Sequence, residues 1–385
     1  MTTTSAFSHL GLDSLLLTAL NELNYQQPTP IQQAAIPAIL HGRDVVAGAE
    51  TGSGKTAAFA LPILHKLHHQ AASTPTKGNQ VRALIIAPTR ELAIQIGQAI
   101  NSYAQYLQPH LKLCTVFGGV SINPQMLALR GGADIVVATT GRLLDLMAHN
   151  ALKLDVLEIL VLDEADKMLS LGFSEELTQI LAALPKKRQN LLFSATFPPE
   201  LQQLISSLLH QPVEINLAKQ DDNLIEQHVY TIDNERKNAA LIHLINTGDW
   251  QQVLVFASAK NTCNRLVLKL QKAGIQAAAF HGDLSQGARN KALDDFKAKK
   301  IRVLIATDVA ARGIDIQQLP YVVNFDLPRS ANDYIHRIGR TGRAGQQGYA
   351  VALIAPDEEE HFRLIEKRMK KRLPREQIEG FEISL

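Results

Sequence analysis

Hydrophobic positions fall into short runs that are apolar at successive residues, with helix-length segments between them. In the first half these runs are 44–50 (DVVAGAE), 81–89 (VRALIIAPT), 112–119 (KLCTVFGG), 134–140 (DIVVATT), 159–164 (ILVLDE) and 190–196 (NLLFSAT). In the second they are 251–258 (QQVLVFAS), 275–282 (IQAAAFHG), 301–308 (IRVLIATD), 321–327 (YVVNFDL) and 348–354 (GYAVALI). A strand wetted on one face alternates apolar and polar residues; runs apolar at every position need cover on both faces. The pattern therefore predicts an α/β protein of parallel strands sandwiched between helices. Residues 216–224 (NLAKQDDNL) carry neither period and read as a linker. The result is two doubly wound domains in tandem, 1–215 and 225–360, followed by a basic tail, 361–385. Ligands of such sheets collect at the C-terminal strand ends, where most of these runs finish in polar residues or glycine.

A length of 385 residues agrees, being too long for one ordinary core. The net charge of +2 supplies no bulk attraction for a polyanion or a membrane surface, so any such site is local. The tail, which holds Arg363, Lys367, Arg368, Lys370, Lys371 and Arg372, is expected to be a solvated helix running to Pro374. Two distant cysteines, Cys114 and Cys263, form neither a disulfide framework nor a zinc pattern and are expected to be buried thiols in a reducing compartment. The N-terminus lacks the layout of a secretory leader, and no apolar run approaches a membrane span. A soluble, cytoplasmic protein is the expectation.

Two motifs carry chemistry. Ala49-Glu50-Thr51-Gly52-Ser53-Gly54-Lys55-Thr56 lies between a predicted strand and a predicted helix, matching a phosphate loop with alanine in first position. Its glycines let backbone N–H groups converge on phosphate oxygens, Lys55 reaches the β and γ phosphates, and the Thr56 hydroxyl suits Mg²⁺. The run 160–166 (LVLDEAD) ends in three carboxylates within four residues. A charged turn would explain one acid, but not its pairing with a phosphate loop. Asp163 suits a magnesium-holding role and Glu164 the orientation or deprotonation of an attacking water.

With the motifs in order, the chain resembles the DEAD-box ATP-dependent RNA helicases of superfamily 2. They are the stretch from Tyr25 to Gln32, AETGSGKT, PTREL (88–92), Gly118-Gly119, TTGR (139–142), DEAD, SAT (194–196), QGAR (286–289), ATDVAARGID (306–315) and HRIGRTGR (336–343). The resemblance implies two RecA-like domains with a nucleotide cleft between them, and ATP and Mg²⁺ as cofactors. Gln32 is implied to read adenine, Tyr25 to stack on the base with support from Phe7, Thr29 to help hold the loop, and Asp315 to meet the ribose. For Phe7 alone, a place in the core is the stronger reading. Arg340 and Arg343 are implied to be arginine fingers from the second domain. Asp166, Ser194, Thr196 and His336 are implied to link the nucleotide site to the other domain.

Contacts with RNA are implied for Pro88, Thr89, Arg90, Gly119, Thr139, Gly141 and Arg142 in the first domain, and for Arg289, Thr307 and Gly313 in the second. Glycine and threonine permit close backbone approach to phosphates and arginine adds charge, which suits sequence-independent binding. Three departures from the family pattern stand out: Asn24 before the aromatic residue of the adenine motif, Thr140 where proline is usual, and Gly287-Ala288 at variable positions. Asparagine tolerates the left-handed conformation, so Asn24 is expected to cost little. Thr140 removes a fixed φ and is expected to loosen an RNA-contacting loop.

The function so implied is RNA-stimulated ATP hydrolysis coupled to domain closure and local, non-processive unwinding. The resemblance points to ribosome assembly or RNA turnover, with the protein acting as a monomer. An ATP-gated RNA clamp and a DNA-directed motor are the rival readings.

Overall fold

The computed structural model describes residues 6–49, 52–70, 78–216, 225–311, 319–342 and 347–382. Glu50, Thr51, Gly313, Asp315, Arg343 and linker positions 217–224 lie outside these residues. The chain divides into two compact units, Met1–Lys219 and Gln220–Leu385.

The first unit is built on seven parallel strands: β1 (Val45–Gly48), β2 (Val81–Ala87), β3 (Leu113–Val116), β4 (Ala133–Thr139), β5 (Ile159–Asp163), β6 (Gln189–Ser194) and β7 (Val213–Asn216). Their order is β3-β4-β2-β5-β6-β1-β7. Successive side chains enter opposite cores: Ile159 and Val161 pack with the helices Pro30–Leu40, Lys55–Gln70 and Arg90–Ala104, while Leu160 and Leu162 face the helices Thr140–Ala148 and Ser174–Ala182. All seven residues of β2 are buried, as a central strand covered on both faces requires.

The second unit repeats the plan with β8 (Ile225–Thr231), β9 (Val253–Phe256), β10 (Ala277–Phe280), β11 (Val303–Ala306), β12 (Tyr321–Asn324), β13 (Gly348–Ile354) and β14 (Arg375–Glu376), in the order β10-β11-β9-β12-β13-β8-β14. Both sheets are helix-flanked, parallel and RecA-like. Asn216, at the start of the expected linker, closes β7.

The tail departs from expectation. Its helix, Glu359–Met369, stops short of Pro374 because Lys370 takes φ 54°, and the chain then returns to lay Arg375 and Glu376 beside β8. This segment is not a solvated helix. Phe362 and Ile365 are buried, and Arg375 clamps Glu359 and Glu366 at 2.9–3.0 Å.

Candidate functional site

Strand order sorts the candidate residues of the first unit into two groups along one sheet edge. β5, β6 and β1 are neighbours, so the DEAD, SAT and phosphate-loop segments leave the sheet side by side. β3, β4 and β2 form the other end; Gly119 and Pro88 follow β3 and β2, and Thr139 is the last residue of β4.

At the phosphate loop, Gly52 and Gly54 take φ 88° and 92°, a region that L side chains rarely adopt. Helix Lys55–Gln70 begins directly after, with Thr56 in its first turn. Lys55 is buried, and its Nζ donates to the Ala49 carbonyl at 3.0 Å. Gln32, also buried, ties the adenine motif to the loop: Oε1 accepts from Thr29 N at 2.9 Å and Nε2 donates to Gly54 O at 3.2 Å. A side-chain amide has two N–H donors and two acceptor lone pairs, so these bonds leave Gln32 one of each type for a base. A Cβ on Gly54 would collide with Gln32 Nε2 and come within 2.9 Å of Thr29 Oγ1.

Tyr25 is held edge-on between Phe7 and Tyr103, at ring-centroid distances of 6.3 and 5.9 Å, and its hydroxyl lies 2.8 Å from that of Tyr103. Phe7 is wholly buried, which agrees with its reading as a core aromatic. Tyr103, in helix Arg90–Ala104, has no motif around it to flag its role. Asn24 adopts φ 58°, the left-handed conformation that asparagine accepts.

Asp163 ends β5 in full burial. That burial pushes its carboxyl up to about 6; Lys55 is the largest opposing influence and Glu164 adds to the rise. Glu164 follows at φ 53°, donates its N–H to Asp163 Oδ1 at 3.0 Å, and pairs through Oε2 with Lys167 Nζ at 2.8 Å. Asp166 Oδ2 accepts from Thr196 Oγ1 at 2.6 Å and Thr196 N at 3.0 Å, while Ser194 Oγ accepts from Asp166 N at 3.3 Å. This part of the expected coupling network is assembled within the first unit; His336 belongs to the second, on helix Ala331–Ile338.

The Thr56 hydroxyl and the Asp163 carboxylate are hard oxygen donors, the kind Mg²⁺ prefers. A buried carboxylate with a raised pKa is short of compensating positive charge, and it fits a divalent cation for that reason.

Among the RNA candidates, Thr89 caps helix Arg90–Ala104 by accepting from Leu92 N at 3.3 Å. The Arg90 guanidinium lies against Gly119, where any side chain would displace it. Thr139 is the N-cap of helix Thr140–Ala148 and Gly141 lies in its first turn. Arg142 donates from Nη2 to Val120 O at 2.8 Å and its Nε lies 3.7 Å from Asp145 Oδ2, while Nη1 has no hydrogen-bond partner among the described residues. The expectation that Thr140 loosens a loop is corrected: Thr140 is buried as the first residue of that helix, the position where proline is best tolerated, so threonine there leaves the backbone just as regular.

In the second unit Arg289 lies over the Phe280 ring at 5.2 Å, and Thr307 follows β11. Arg340 is buried, with Nη2 3.4 Å from Ala311 O. Arg337, to which the motif assigns no role, carries a dense set of contacts. It grips both Asp308 oxygens at 2.6 and 2.7 Å, donates to Asn324 Oδ1 at 2.9 Å and Asp326 O at 2.6 Å, and lies over Phe256 at 4.9 Å. Cys114 and Cys263 are buried and free. No helix among the described residues is long and apolar enough to cross a membrane.

Comparison with known proteins identifies the family. The DEAD/DEAH box helicase model matches residues 29–204, and the helicase conserved C-terminal domain matches residues 236–345. The ATP-dependent RNA helicase CshA of Listeria monocytogenes is 41% identical over 369 residues, 95% of this chain and 69% of that protein. The chain belongs to the DEAD-box ATP-dependent RNA helicase family. Another relative, the helicase DeaD of Haemophilus influenzae, is 40% identical over 96% of this helicase, which spans 60% of that protein's length. Among solved structures, Saccharomyces cerevisiae Dbp5 bound to RNA and ADP BeF3 matches this helicase at a TM-score of 0.83 and 31% identity, over 97% of this chain and 96% of that one.

Proposed function

We propose that this DEAD-box helicase is an RNA-stimulated ATPase whose two units close on ATP and RNA, releasing short duplexes locally and without processive movement. The observation that carries the reading is the adjacency of three strand ends, β1, β6 and β5, which groups Lys55, Ser194 and Asp163 at one sheet edge.

In this reading Gln32 and Tyr25 receive the adenine and the loop from Ala49 to Thr56 receives the phosphates, with Asp315 meeting the ribose. Thr56 and Asp163 hold magnesium, which when bound offsets phosphate charge. Glu164 orients or deprotonates the attacking water. Arg340 and Arg343 belong to the other unit, so their contribution to charge developing on the γ phosphate requires the units to approach. The Asp166–Thr196 pair supports a relay toward His336. Pro88, Thr89, Arg90, Gly119, Thr139, Gly141 and Arg142, with Arg289, Thr307 and Gly313, contact the RNA backbone, and Arg142 Nη1, which has no hydrogen-bond partner among the described residues, favours a phosphate ligand. ATP and RNA both favour the closed state, so each tightens the other by the same factor. Ribosome assembly or RNA turnover, in the cytoplasm and as a monomer, is the setting proposed.

The test is ATP hydrolysis and strand displacement on short RNA, RNA–DNA and DNA duplexes. RNA is expected to stimulate hydrolysis severalfold and to be unwound. Stimulation by DNA but not RNA would overturn the substrate assignment, and RNA-stimulated hydrolysis without displacement would favour an ATP-gated clamp.

A further inference from the structure

A second cluster of chemistry-bearing side chains lies at the far end of the helix that begins with Lys55. Helix Lys55–Gln70 closes on His65-Lys66-Leu67-His68-His69-Gln70, and Asp13, the N-cap of helix Ser14–Glu22, faces it. The two oxygens of Asp13 are divided between tasks. Oδ1 accepts from Leu15 N at 2.8 Å, whereas Oδ2 lies 3.2 Å from His69 Nε2 and 3.6 Å from His68 Nδ1.

His68 Nε2 is 2.9 Å from the Gln108 carbonyl, which only accepts, so this nitrogen carries the proton. In the neutral ring Nδ1 is then a lone pair; it is buried and has no hydrogen-bond partner among the described residues. Asp13 Oδ2 and His68 Nδ1 thus face one another at 3.6 Å, and His69 Nε2 completes the group 3.2 Å from the same oxygen. His65 stands outside the group, because its Nδ1 already accepts from the Asp13 N–H at 3.1 Å.

We propose that Asp13 Oδ2, His68 Nδ1 and His69 Nε2 form a binding site for a divalent transition-metal cation, with zinc the best match. Two imidazole nitrogens and one carboxylate oxygen suit such ions better than Mg²⁺, which favours all-oxygen shells. Zinc bonds of about 2.0–2.2 Å at tetrahedral angles set neighbouring ligand atoms roughly 3.3–3.6 Å apart. The separations of 3.2 and 3.6 Å already lie close to that edge length, and all three ligand atoms lie within 4.8 Å of one another. The Gln108 carbonyl and the Leu15 N–H fix two of the ligands in orientation, as outer hydrogen bonds do at metal sites. His69 is 57% exposed and borders a surface hollow lined also by His9, His41, His65 and Lys66, which gives the ion an entry path and water a fourth position. The bound ion would fasten the start of helix Ser14–Glu22 to the end of the phosphate-loop helix.

The test uses the full chain, stripped with chelator and held in excess Mg²⁺, titrated with Zn²⁺ by calorimetry and with Co²⁺ by visible absorption. One equivalent is expected to bind, Co²⁺ showing four-coordinate absorption and Zn²⁺ raising Tm. His69→Ala, at an exposed position, and Asp13→Asn, which keeps a capping oxygen, are expected to weaken Zn²⁺ binding tenfold or more and remove the Tm shift, with Mg²⁺–ATP binding unchanged. No Zn²⁺ or Co²⁺ binding by the wild type, or equal affinity and Tm shift in both variants, overturns the proposal.

Discussion

Lys167 reaches back one turn to Glu164, its Nζ 2.8 Å from Oε2, with both side chains buried. The carboxylate proposed to act on water thus sits beside a matching positive charge. Removing one partner of a buried pair leaves the other charged and unsolvated, at a cost of about 3–5 kcal/mol. Lys167→Met is expected to lose stability on that scale, and combining it with Glu164→Gln to restore most of the loss. Denaturant unfolding of the two single variants and the double variant measures the coupling. Additive losses would show that Lys167 stabilises the fold through other contacts.

Gly54 and Gln32 form the second tested relationship. Alanine at position 54 meets both a φ of 92° and the Gln32 amide, so the loop or the amide must shift. Gly54→Ala is expected to weaken ATP binding tenfold or more. Gln32→Ala leaves the loop backbone unobstructed and is expected to reduce discrimination between ATP and GTP rather than abolish nucleotide binding. Equal use of ATP and GTP by the wild type would remove Gln32 from base reading.

Legibility followed locality. The runs at 81–89 and 159–164 stood out because β2 and β5 are covered on both faces, and the phosphate loop because its glycines and lysine are contiguous. β8, with the sequence IEQHVYT, gives little apolar signal: it lies beside the two-residue β14, and only Val229 in it is fully buried. β7 is faint for the same reason, its four residues VEIN closing one edge of the first sheet. Within the candidate site, phosphate chemistry alone singles out Asp163 and Glu164 in the sequence. It does not single out Lys167, Tyr103 or Arg337, since their partners are set by helix phase or by strand neighbours distant in sequence. Arg337 lay inside a motif read as phosphate-directed, yet its carboxylate partner is 29 residues earlier.

That guanidinium yields a prediction for the second unit. Arg337 joins the end of β11, through Asp308, to β12, through Asn324 and Asp326 O. Arg337→Ala strips buried acceptors of their donor and is expected to destabilise the second unit by about 3–5 kcal/mol. Arg337→Lys keeps the charge without the planar fork and is expected to recover only part of this. Hydrogen exchange resolved by segment checks it: protection should fall in β11, β12 and helix Ala331–Ile338 and persist throughout the first sheet. A loss spread evenly over both units would contradict this local role.

Asp163 contributes a pH dependence of its own. Its folded value of about 6 lies above the ordinary 3.8, so between roughly pH 4 and pH 6 the folded chain keeps a proton that the unfolded chain has released. The contribution of this group to stability is therefore fullest below about pH 4, declines as pH rises to about 6, and stays low above it. A shift of about two units corresponds to roughly 3 kcal/mol. Asp163→Asn removes the buried charge, and without nucleotide or divalent cation it is expected to be more stable than the wild type at pH 7.5 by about 2–3 kcal/mol, an advantage that shrinks to nothing near pH 4. The same variant is expected to lose ATP hydrolysis. Thermal or urea unfolding across this pH range decides the matter: a constant difference between the two proteins would mean that Lys55 and Lys167 already neutralise the carboxylate in the absence of metal.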